Sequence, residues 1–181
     1  TNLAGEGLDP GAGGIGRAAA LLRAGELVAI PTETVYGLAA RADSAEAVAA
    51  IYRAKGRPQF NPLIVHVGSL EQARGLAVFD TRAELLAETF WPGPLTLVLP
   101  LQEGAAIALA VTAGLPTIAL RQPAHPLAAQ LLAECGWPLA APSANRSGDV
   151  SPTLPEHVRA SLGKACPAVR DGGACPAGLE S

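Results

Sequence analysis

The stretch "AIPTETVYGL", residues 29–38, passes from an apolar strand to a polar loop within a few positions. Its first residues complete the apolar run "ELVAI" (26–30), which is typical of a strand covered on both faces of a sheet. Pro31 has no N–H for a strand ladder, so we predict that the strand ends there and that residues 32–34 form an exposed loop of hydroxyls and a carboxylate. Such a loop is either the edge of a site or an ordinary strand-to-loop transition, and the stretch alone leaves both open.

Strand and helix patterns alternate along the whole chain. Strands are predicted over 26–30, 62–67, 95–100, 117–121 and from 138, and helices over 13–26, 44–56, 81–90, 125–136 and 155–163. This interleaving predicts an α/β domain built on a sheet. The Gly-rich residues 1–13 have no periodicity, so they are predicted to form a mobile N-terminal tail ahead of a single domain over 14–181.

Composition limits the classes of protein that fit. A chain of 181 residues that is 49% hydrophobic suits one domain with a sizeable core. No apolar run approaches the roughly 18 residues of a membrane span and no leader pattern opens the chain, so a cytoplasmic protein is expected. Cys135, Cys166 and Cys175 lack C-x-x-C spacing, which favours small buried side chains over a disulfide framework or a zinc site. The net charge of -3 argues against a protein whose main task is to hold a nucleic-acid backbone.

The segment "KGRPQFN" (55–61) is the first of three polar sites that the fold itself does not require. Lys55 and Arg57 flank a glycine at a predicted helix end, where they repel each other unless an anion lies between them. Cations at a helix C-terminus also suit the helix dipole, which is the simpler alternative. We expect both side chains to be exposed, so that removing either would cost the fold at most about 1 kcal/mol.

The other two polar sites follow apolar strands. The loop "APSANRSGDVSPT" (141–153) could wrap phosphate oxygens with hydroxyls and backbone amides, or be an ordinary Ser/Gly loop; it contains no Walker pattern. Arg121 ends the strand "TIALR" and could grip a carboxylate in bidentate fashion or reach solvent. His66, inside "LIVHV", is by itself more typical of a core histidine.

Six separated segments together resemble a known family in order and spacing. They are "PTETVYGL", "KGRPQFNPLIVHV", "WPGPLTLVLP", "ALRQPAHP", "APSANRSGDVSPT" and "DGGACPAGLES". Over about residues 14–181 the chain resembles the YrdC-like domain of threonylcarbamoyl-AMP synthases. The resemblance implies a twisted α/β fold with a mixed parallel and antiparallel sheet, helices and an open basic cleft. It also implies a nucleotidyltransferase that makes threonylcarbamoyl-AMP and pyrophosphate from L-threonine, bicarbonate or CO2, and ATP.

The resemblance also implies roles for individual residues. Catalysis would rest on Lys55 and Arg57. ATP would be bound by Lys55, Arg57, Asn61, Thr117, Asn145 and Thr153, and threonine by Thr34, His66, Arg121, Ser143 and Ser181. Mg2+ would accompany ATP and be held mainly by its phosphates, with no metal caged by the protein. No covalent intermediate is expected, since the carbamate of threonine is itself the nucleophile.

The resemblance extends to partners. Separate tRNA-modifying transferase proteins would move the threonylcarbamoyl group to tRNA, and stable direct binding of tRNA by this domain is not expected. In the family the pattern continues past "GLES", and some members append a second domain. The chain ends at Ser181, which leaves open whether a segment that closes over the nucleotide lies beyond it. Two rival interpretations are a non-catalytic RNA-binding or ribosome-maturation module with the same fold, and a different carbamoyl-adenylate enzyme. The acidic balance and the 4% aromatic content weigh against the RNA-binding module.

Overall fold

The computed structural model of the chain describes residues 6–8, 12–162 and 168–170. Its helices are α1 (Ala12–Arg23), α2 (Ala45–Lys55), α3 (Leu70–Arg74), α4 (Thr81–Phe90), α5 (Pro126–Cys135) and α6 (Pro155–Leu162). Its strands are β1 (Glu6–Leu8), β2 (Val28–Ile30), β3 (Gly37–Arg41), β4 (Ile64–His66), β5 (Leu97–Pro100), β6 (Thr117–Arg121), β7 (Leu139–Ala140) and β8 (Ala168–Arg170).

The strands of the described residues form one sheet in the order β1-β8-β2-β3-β7-β4-β6-β5. Three neighbouring pairs are parallel, namely β1 with β8, β2 with β8, and β4 with β6. The remaining pairs, β2 with β3, β3 with β7, β7 with β4, and β6 with β5, are antiparallel. The predicted α/β class with a mixed parallel and antiparallel sheet is therefore confirmed.

Helices cover both faces of this sheet. Along β2, Val28 and Ile30 belong to a core cluster formed with α1 and α5, whereas Ala29 belongs to a cluster that also contains α2. The same alternation occurs on β3, where Ala39 faces the first cluster and Leu38 the second. Alternate residues of a strand point to opposite faces, so burial of both sets explains why these strands are continuously apolar.

Helix ends follow the local signals. Ser44 caps α2 by accepting a hydrogen bond from the backbone N–H of Ala47, and Gly56 ends the helix at a φ of 60°. Gly136 ends α5 in the same left-handed conformation, at a φ of 74°. Glycine has no Cβ and takes this conformation without strain, so both helices end where the sequence predicts.

Several predictions from the sequence need correction. Part of the predicted tail over 1–13 is strand β1, held by parallel pairing with β8, and α1 begins at Ala12. Strand β3 was missed because "GLAAR" is made mostly of small residues without a clear period. The strand predicted from 138 is ordered as a ladder only over Leu139–Ala140. Cys135 is buried in the core as expected, while Cys166 and Cys175 lie outside the described residues.

The six-residue connection between β2 and β3 is the segment "PTETVY". Thr32 and Thr34 are buried, with exposures of 2% and 3%, and not exposed as the sequence suggested. The loop after β7 packs against this connection, because Tyr36 donates its N–H to the carbonyl of Pro152 and accepts from the N–H of Ala144. This packing between distant segments, which no local sequence signal reveals, shields the threonine hydroxyls from solvent.

Candidate active site

Two adjoining cavities lie at the ends of the central strands. The small cavity has a volume of about 140 Å³, and its polar lining comprises Thr32, Thr34, Arg57, His66, Arg121 and Ser143. The large cavity has a volume of about 310 Å³, and its polar lining comprises Lys55, Arg57, Asn61, Ser143, Asn145, Ser147, Asp149 and Ser151. Arg57 and Ser143 line both cavities, so the two form one continuous cleft.

Strand pairing explains why these side chains meet. Strands β4 and β6 are parallel neighbours, and their last residues, His66 and Arg121, are opposite each other in the register. The loop after β7 comes from the other direction, because β7 is antiparallel to β4 and runs past its amino end, where Ser143 forms a bridge with Gly37 at the start of β3. The carboxyl ends of adjacent parallel strands are a common place for ligand sites in α/β sheets.

Arg121 is buried in the wall of the small cavity, with only 2% exposure. Its Nη2 forms an ion pair with Oε1 of Glu33 at 2.5 Å. Its Nη1 donates to Oγ1 of Thr34 at 3.0 Å, and its Nε donates to the carbonyl of Gly93 at 3.3 Å. Three partners on three nitrogens therefore fix the plane of the guanidinium group.

Gly93 has a steric reason to be glycine. A Cβ at this position would collide with the backbone carbonyl oxygen of Phe90. The backbone of Gly93 is also tied to the end of β6, because its N–H donates to the carbonyl of Gln122 at 2.8 Å. The turn "WPGP" thus holds a carbonyl acceptor against the Nε of Arg121.

Glu33 was not among the predicted site residues, yet it connects two elements of the wall. Besides its ion pair with Arg121, its Oε2 accepts hydrogen bonds from the backbone N–H groups of Ala124 at 3.0 Å and His125 at 3.1 Å. Burial opposes ionisation of this carboxyl, but the Arg121 guanidinium and the backbone donors hold its pKa below the ordinary value. Glu33 is therefore an ionised carboxylate at neutral pH.

The two threonines form a hydrogen-bond chain with a defined direction. Thr32 donates its hydroxyl proton to the carbonyl of Val35 at 2.7 Å. Oγ1 of Thr34 lies 3.0 Å from Oγ1 of Thr32, and it must donate there because the Thr32 proton is already used. Thr34 therefore faces a ligand only as an acceptor, a role that suits an amine or a hydroxyl donor.

His66 is buried, with 2% exposure, and lines the small cavity. Burial, reinforced by the charge of Arg121, lowers the pKa of its imidazole to about 3. The ring is therefore neutral at pH 7, and its Nδ1 has no hydrogen-bond partner among the described residues. A buried polar atom of this kind requires a partner, and the cavity offers room for a ligand atom there.

Lys55 differs from the sequence prediction of an exposed cation at a helix end. Its side chain has 2% exposure, and its ammonium group donates to the carbonyls of Ser143 at 2.5 Å and Asn145 at 2.6 Å. The backbone carbonyl of Lys55 also accepts the N–H of Ser147 at 2.8 Å. The loop after β7 folds over the end of α2. The buried ammonium group of Lys55 therefore holds this loop in the wall of the large cavity.

Arg57 is the partly exposed cation between the cavities. Its Nη2 donates to the carbonyl of Pro62 at 2.9 Å, and its Nε lies 3.4 Å from the carbonyl of Asn61. Asn145, on the opposite loop, donates from Nδ2 to the carbonyls of Arg146 and Asp149, while its buried Oδ1 has no partner within the described residues. Arg57 and Asn145 thus contribute a cation and a hydrogen-bond acceptor to the lining of the same large cavity.

The cleft is basic although the chain is acidic. Its described lining carries three cations, Lys55, Arg57 and Arg121, and one carboxylate, Asp149. Glu33 offsets the charge of Arg121 beside the small cavity, so the remaining positive charge of that cavity's described lining is that of Arg57, at the boundary with the large cavity. The large cavity carries Lys55 and Arg57 opposite Asp149. Arg57 therefore supplies positive charge to both halves, at the boundary where they adjoin.

Comparison with known proteins places the chain in a family. The Sua5/YciO/YrdC family model, described as "Telomere recombination", matches residues 20–181. The chain belongs to the Sua5/YciO/YrdC family.

Relatives in this family include the threonylcarbamoyl-AMP synthase of Bacillus subtilis (strain 168), which is 52% identical over 168 residues, covering 92% of this chain and 48% of that protein. The structure of P. abyssi Sua5 complexed with L-threonine is 49% identical with a TM-score of 0.89, covering 93% of this chain and 49% of that one. The E. coli YciO structure shares the fold, with a TM-score of 0.84 at 22% identity, covering 94% of this chain and 85% of that one. The chain spans about half the length of curated relatives such as this Bacillus protein.

The structure brings most of the predicted site residues of this family member together. Thr34, His66, Arg121 and Ser143 line the small cavity, and Lys55, Arg57, Asn61 and Asn145 line the large one. Thr117 and Thr153 line neither; Thr117 begins β6, about 13 Å along the strand from Arg121. Ser181 lies outside the described residues. Thr32 and Glu33 were missed, because nothing in the sequence tells which residues a buried loop will meet.

No group of three or more His, Cys, Asp or Glu side chains that could hold a metal ion occurs within 6–8, 12–162 and 168–170. None of the helices in that part of the chain is long and apolar enough to span a membrane.

Proposed function

We propose that this chain carries the active site of a threonylcarbamoyl-AMP synthase, a nucleotidyltransferase that converts L-threonine, bicarbonate or CO2, and ATP into threonylcarbamoyl-AMP and pyrophosphate. The observation that carries the proposal is the pair of adjoining cavities, one small and lined by Arg121 with its Glu33 partner, the other lined by Lys55, Arg57, amides and hydroxyls. Their joint boundary at Arg57 and Ser143 is where an amino acid and a triphosphate would meet. The names of the relatives and of the threonine complex support the same assignment.

The small cavity suits threonine in size and polarity. A cavity of about 150 Å³ accommodates a molecule as large as benzene, and the present one is about 140 Å³. Arg121 is the partner for the carboxylate, and neutral His66 and Thr34 supply hydrogen-bonding atoms for the hydroxyl and the amine. Ser143 also lines this cavity and completes the set of residues predicted to bind threonine, except for Ser181.

The reaction requires two anions to approach each other. The amine of threonine combines with CO2 to give a carbamate, one of whose oxygens attacks the α-phosphorus of ATP while pyrophosphate leaves with the electrons of the broken P–O bond. Arg57 would stabilise the charge that develops between the cavities, and Lys55 would hold the loop that contributes Asn145. Mg2+ would enter with ATP and offset phosphate charge, held mainly by the phosphates.

The same proposal includes the partner proteins and the cellular location of the enzyme. Separate transferase proteins would pass the threonylcarbamoyl group to tRNA in the cytoplasm. The alternative of an RNA-binding module is not favoured, because the described lining of the cleft contains no Phe, Tyr or Trp on which bases could stack.

Pyrophosphate release tests the reaction directly. With the 181-residue chain, release from ATP is expected to require both L-threonine and bicarbonate, because only their adduct supplies the nucleophile. L-Serine lacks one methyl group, which a pocket discriminates by about 1 to 3 kcal/mol, so it should be a poor substrate and not an inert one. Release that is indifferent to threonine would refute the proposed function.

Arg121→Lys tests the carboxylate partner. Lysine keeps the positive charge but not the planar fork that contacts Glu33, Thr34 and Gly93. Loss of one charge-assisted hydrogen bond, about 1.5 to 3 kcal/mol, predicts a rise of about 10- to 150-fold in the Kd of L-threonine with the Kd of ATP almost unchanged. Calorimetry with each ligand separately measures both values.

A matched control is available outside the cleft. Arg74 makes a two-bond ion pair with Glu84 on the surface, so Arg74→Lys makes the same chemical change away from both cavities. The control should leave both Kd values unchanged. An equal loss for threonine and ATP in Arg121→Lys would instead assign Arg121 to the nucleotide or to the fold.

A further inference from the structure

Glu33 stands at the junction of three segments: the β2–β3 connection that contains it, the end of β6, and the start of α5. One carboxylate oxygen contacts the guanidinium of Arg121, and the other accepts the N–H groups of Ala124 and His125. Its side chain is 16% exposed. The chemistry of the reaction as described uses no carboxylate at this position.

Stability alone is a weak reason for such a group. Removing two charges from water costs free energy that their attraction only partly returns, so apolar residues of similar volume often replace a buried ion pair without loss of stability. A pair placed in the wall of a ligand cavity has another consequence, because it sets both the orientation of the arginine and the charge that the ligand meets. Arg121 lines the small cavity, and Glu33 contacts Arg121 without being part of that lining. Glu33 can therefore set both the orientation of the arginine and the charge of the cavity.

The charge balance of the small cavity depends on Glu33. The cationic side chains that line this cavity are Arg121 and, at the boundary with the large cavity, Arg57. His66 is neutral there because burial lowers the pKa of its ring to about 3. Glu33 offsets the charge of Arg121, so a free amino acid, which is a zwitterion, meets an environment that is not strongly positive. Without the carboxylate, the same cavity would favour a simple anion.

We propose that Glu33 is a positioning and specificity-determining residue that fixes the guanidinium of Arg121 and balances its charge, so that the small cavity selects a zwitterionic amino acid over a plain carboxylate anion. This inference rests on the proposed function for the identity of the amino acid. Glu33 acts through Arg121 and does not itself contact the substrate. The backbone donors at the start of α5 hold its second oxygen, so the carboxylate cannot turn away from the arginine without losing two hydrogen bonds.

The test compares two ligands that differ in one group. L-Threonine is a zwitterion, and 3-hydroxybutyrate is the same molecule without the amine and carries one negative charge. In Glu33→Gln, the Kd of threonine is expected to rise about tenfold because Arg121 loses its fixed partner. The added positive charge brings no net attraction for a zwitterion but attracts the anion, so the Kd of 3-hydroxybutyrate should stay level or fall. The preference for threonine should therefore drop at least tenfold.

Two controls separate this role from a structural one. Glu84→Gln removes the carboxylate of the surface pair with Arg74 and should leave the preference unchanged. In an Arg121→Lys background, Glu33→Gln should change the threonine Kd by less than twofold, because the effect passes through the arginine. A purely structural role would weaken both ligands by the same factor, and that result would overturn the inference.

If Glu33→Gln does not fold, Glu33→Asp provides a second test. Aspartate retains the charge but is shorter, so it should weaken threonine about threefold and keep the preference for the zwitterion. Loss of the preference in this variant would overturn the charge argument. Failure of the wild-type chain to bind threonine would count against the proposed function, whereas normal threonine binding with an unchanged preference in Glu33→Gln would count against this inference alone.

Discussion

Arg57→Ala is expected to slow threonine-dependent pyrophosphate release by about 30- to 1000-fold. Loss of one preorganised electrostatic partner removes about 2 to 4 kcal/mol of transition-state stabilisation. Arg57 is the cation that lines both cavities, so it lies where the carbamate and the α-phosphate would meet. Steady-state measurement of pyrophosphate at saturating threonine and ATP gives the ratio.

The same substitution should change stability little. The structural contacts of Arg57 are a hydrogen bond to the carbonyl of Pro62 and a longer one to that of Asn61. Their loss is worth about 1 kcal/mol, or about 2 to 4 °C in melting temperature for a domain of this size. Arg53 is an exposed arginine on the preceding helix turn and lines neither cavity, so Arg53→Ala is the matched control. Near-normal turnover in Arg57→Ala would contradict the proposed role of Arg57 in the reaction.

Lys55→Ala is expected to lower both stability and activity, in contrast to the expectation from sequence that the fold would hardly change. The substitution leaves the carbonyls of Ser143 and Asn145 without the ammonium that they accept from. Unpaired buried acceptors and the lost charged hydrogen bonds predict a destabilisation of about 3 kcal/mol, or about 6 to 12 °C in melting temperature. Thermal melts of the wild type, Lys55→Ala and Arg53→Ala measure it.

Activity of Lys55→Ala should also fall, because the loop that carries Asn145 loses its attachment to the end of α2. Lys55→Met separates the loss of the charge from the loss of side-chain packing, since methionine keeps most of the apolar stem and removes the charge. We expect Lys55→Met to melt between the wild type and Lys55→Ala and to show the same loss of activity. A melting temperature within 2 °C of wild type in both variants would contradict the role of Lys55 within the wall.

The cations of one short motif thus divide into two roles. Lys55 and Arg57 are separated by a single glycine, and from the sequence both were interpreted as exposed cations at a helix end. Gly56 turns the chain with a left-handed conformation at the end of α2, which points the two side chains into different surroundings. One becomes buried beneath the loop after β7, and the other stays partly exposed between the cavities.

The sequence by itself determined the local elements and the residue types of the site. Strand β6 was predicted over Thr117–Arg121, where it is found, and the caps at Ser44, Gly56 and Gly136 follow their side-chain chemistry. These features depend on interactions within a few residues, which a single sequence displays directly. The six separated motifs likewise identified the family, because their order and spacing are properties of the sequence itself.

Tertiary structure decided which groups meet. The Glu33–Arg121 pair, the burial of Thr32 and Thr34, and the two acceptors of Lys55 all join segments that are distant in the chain. Their meeting depends on the sheet order, in which β3, β7, β4 and β6 are neighbours although β7 comes last of the four in sequence. A charge in a loop has no local preference for one distant partner over another. Its burial and pairing are therefore set only when the strands assemble and the loop after β7 closes over the ends of β2 and α2.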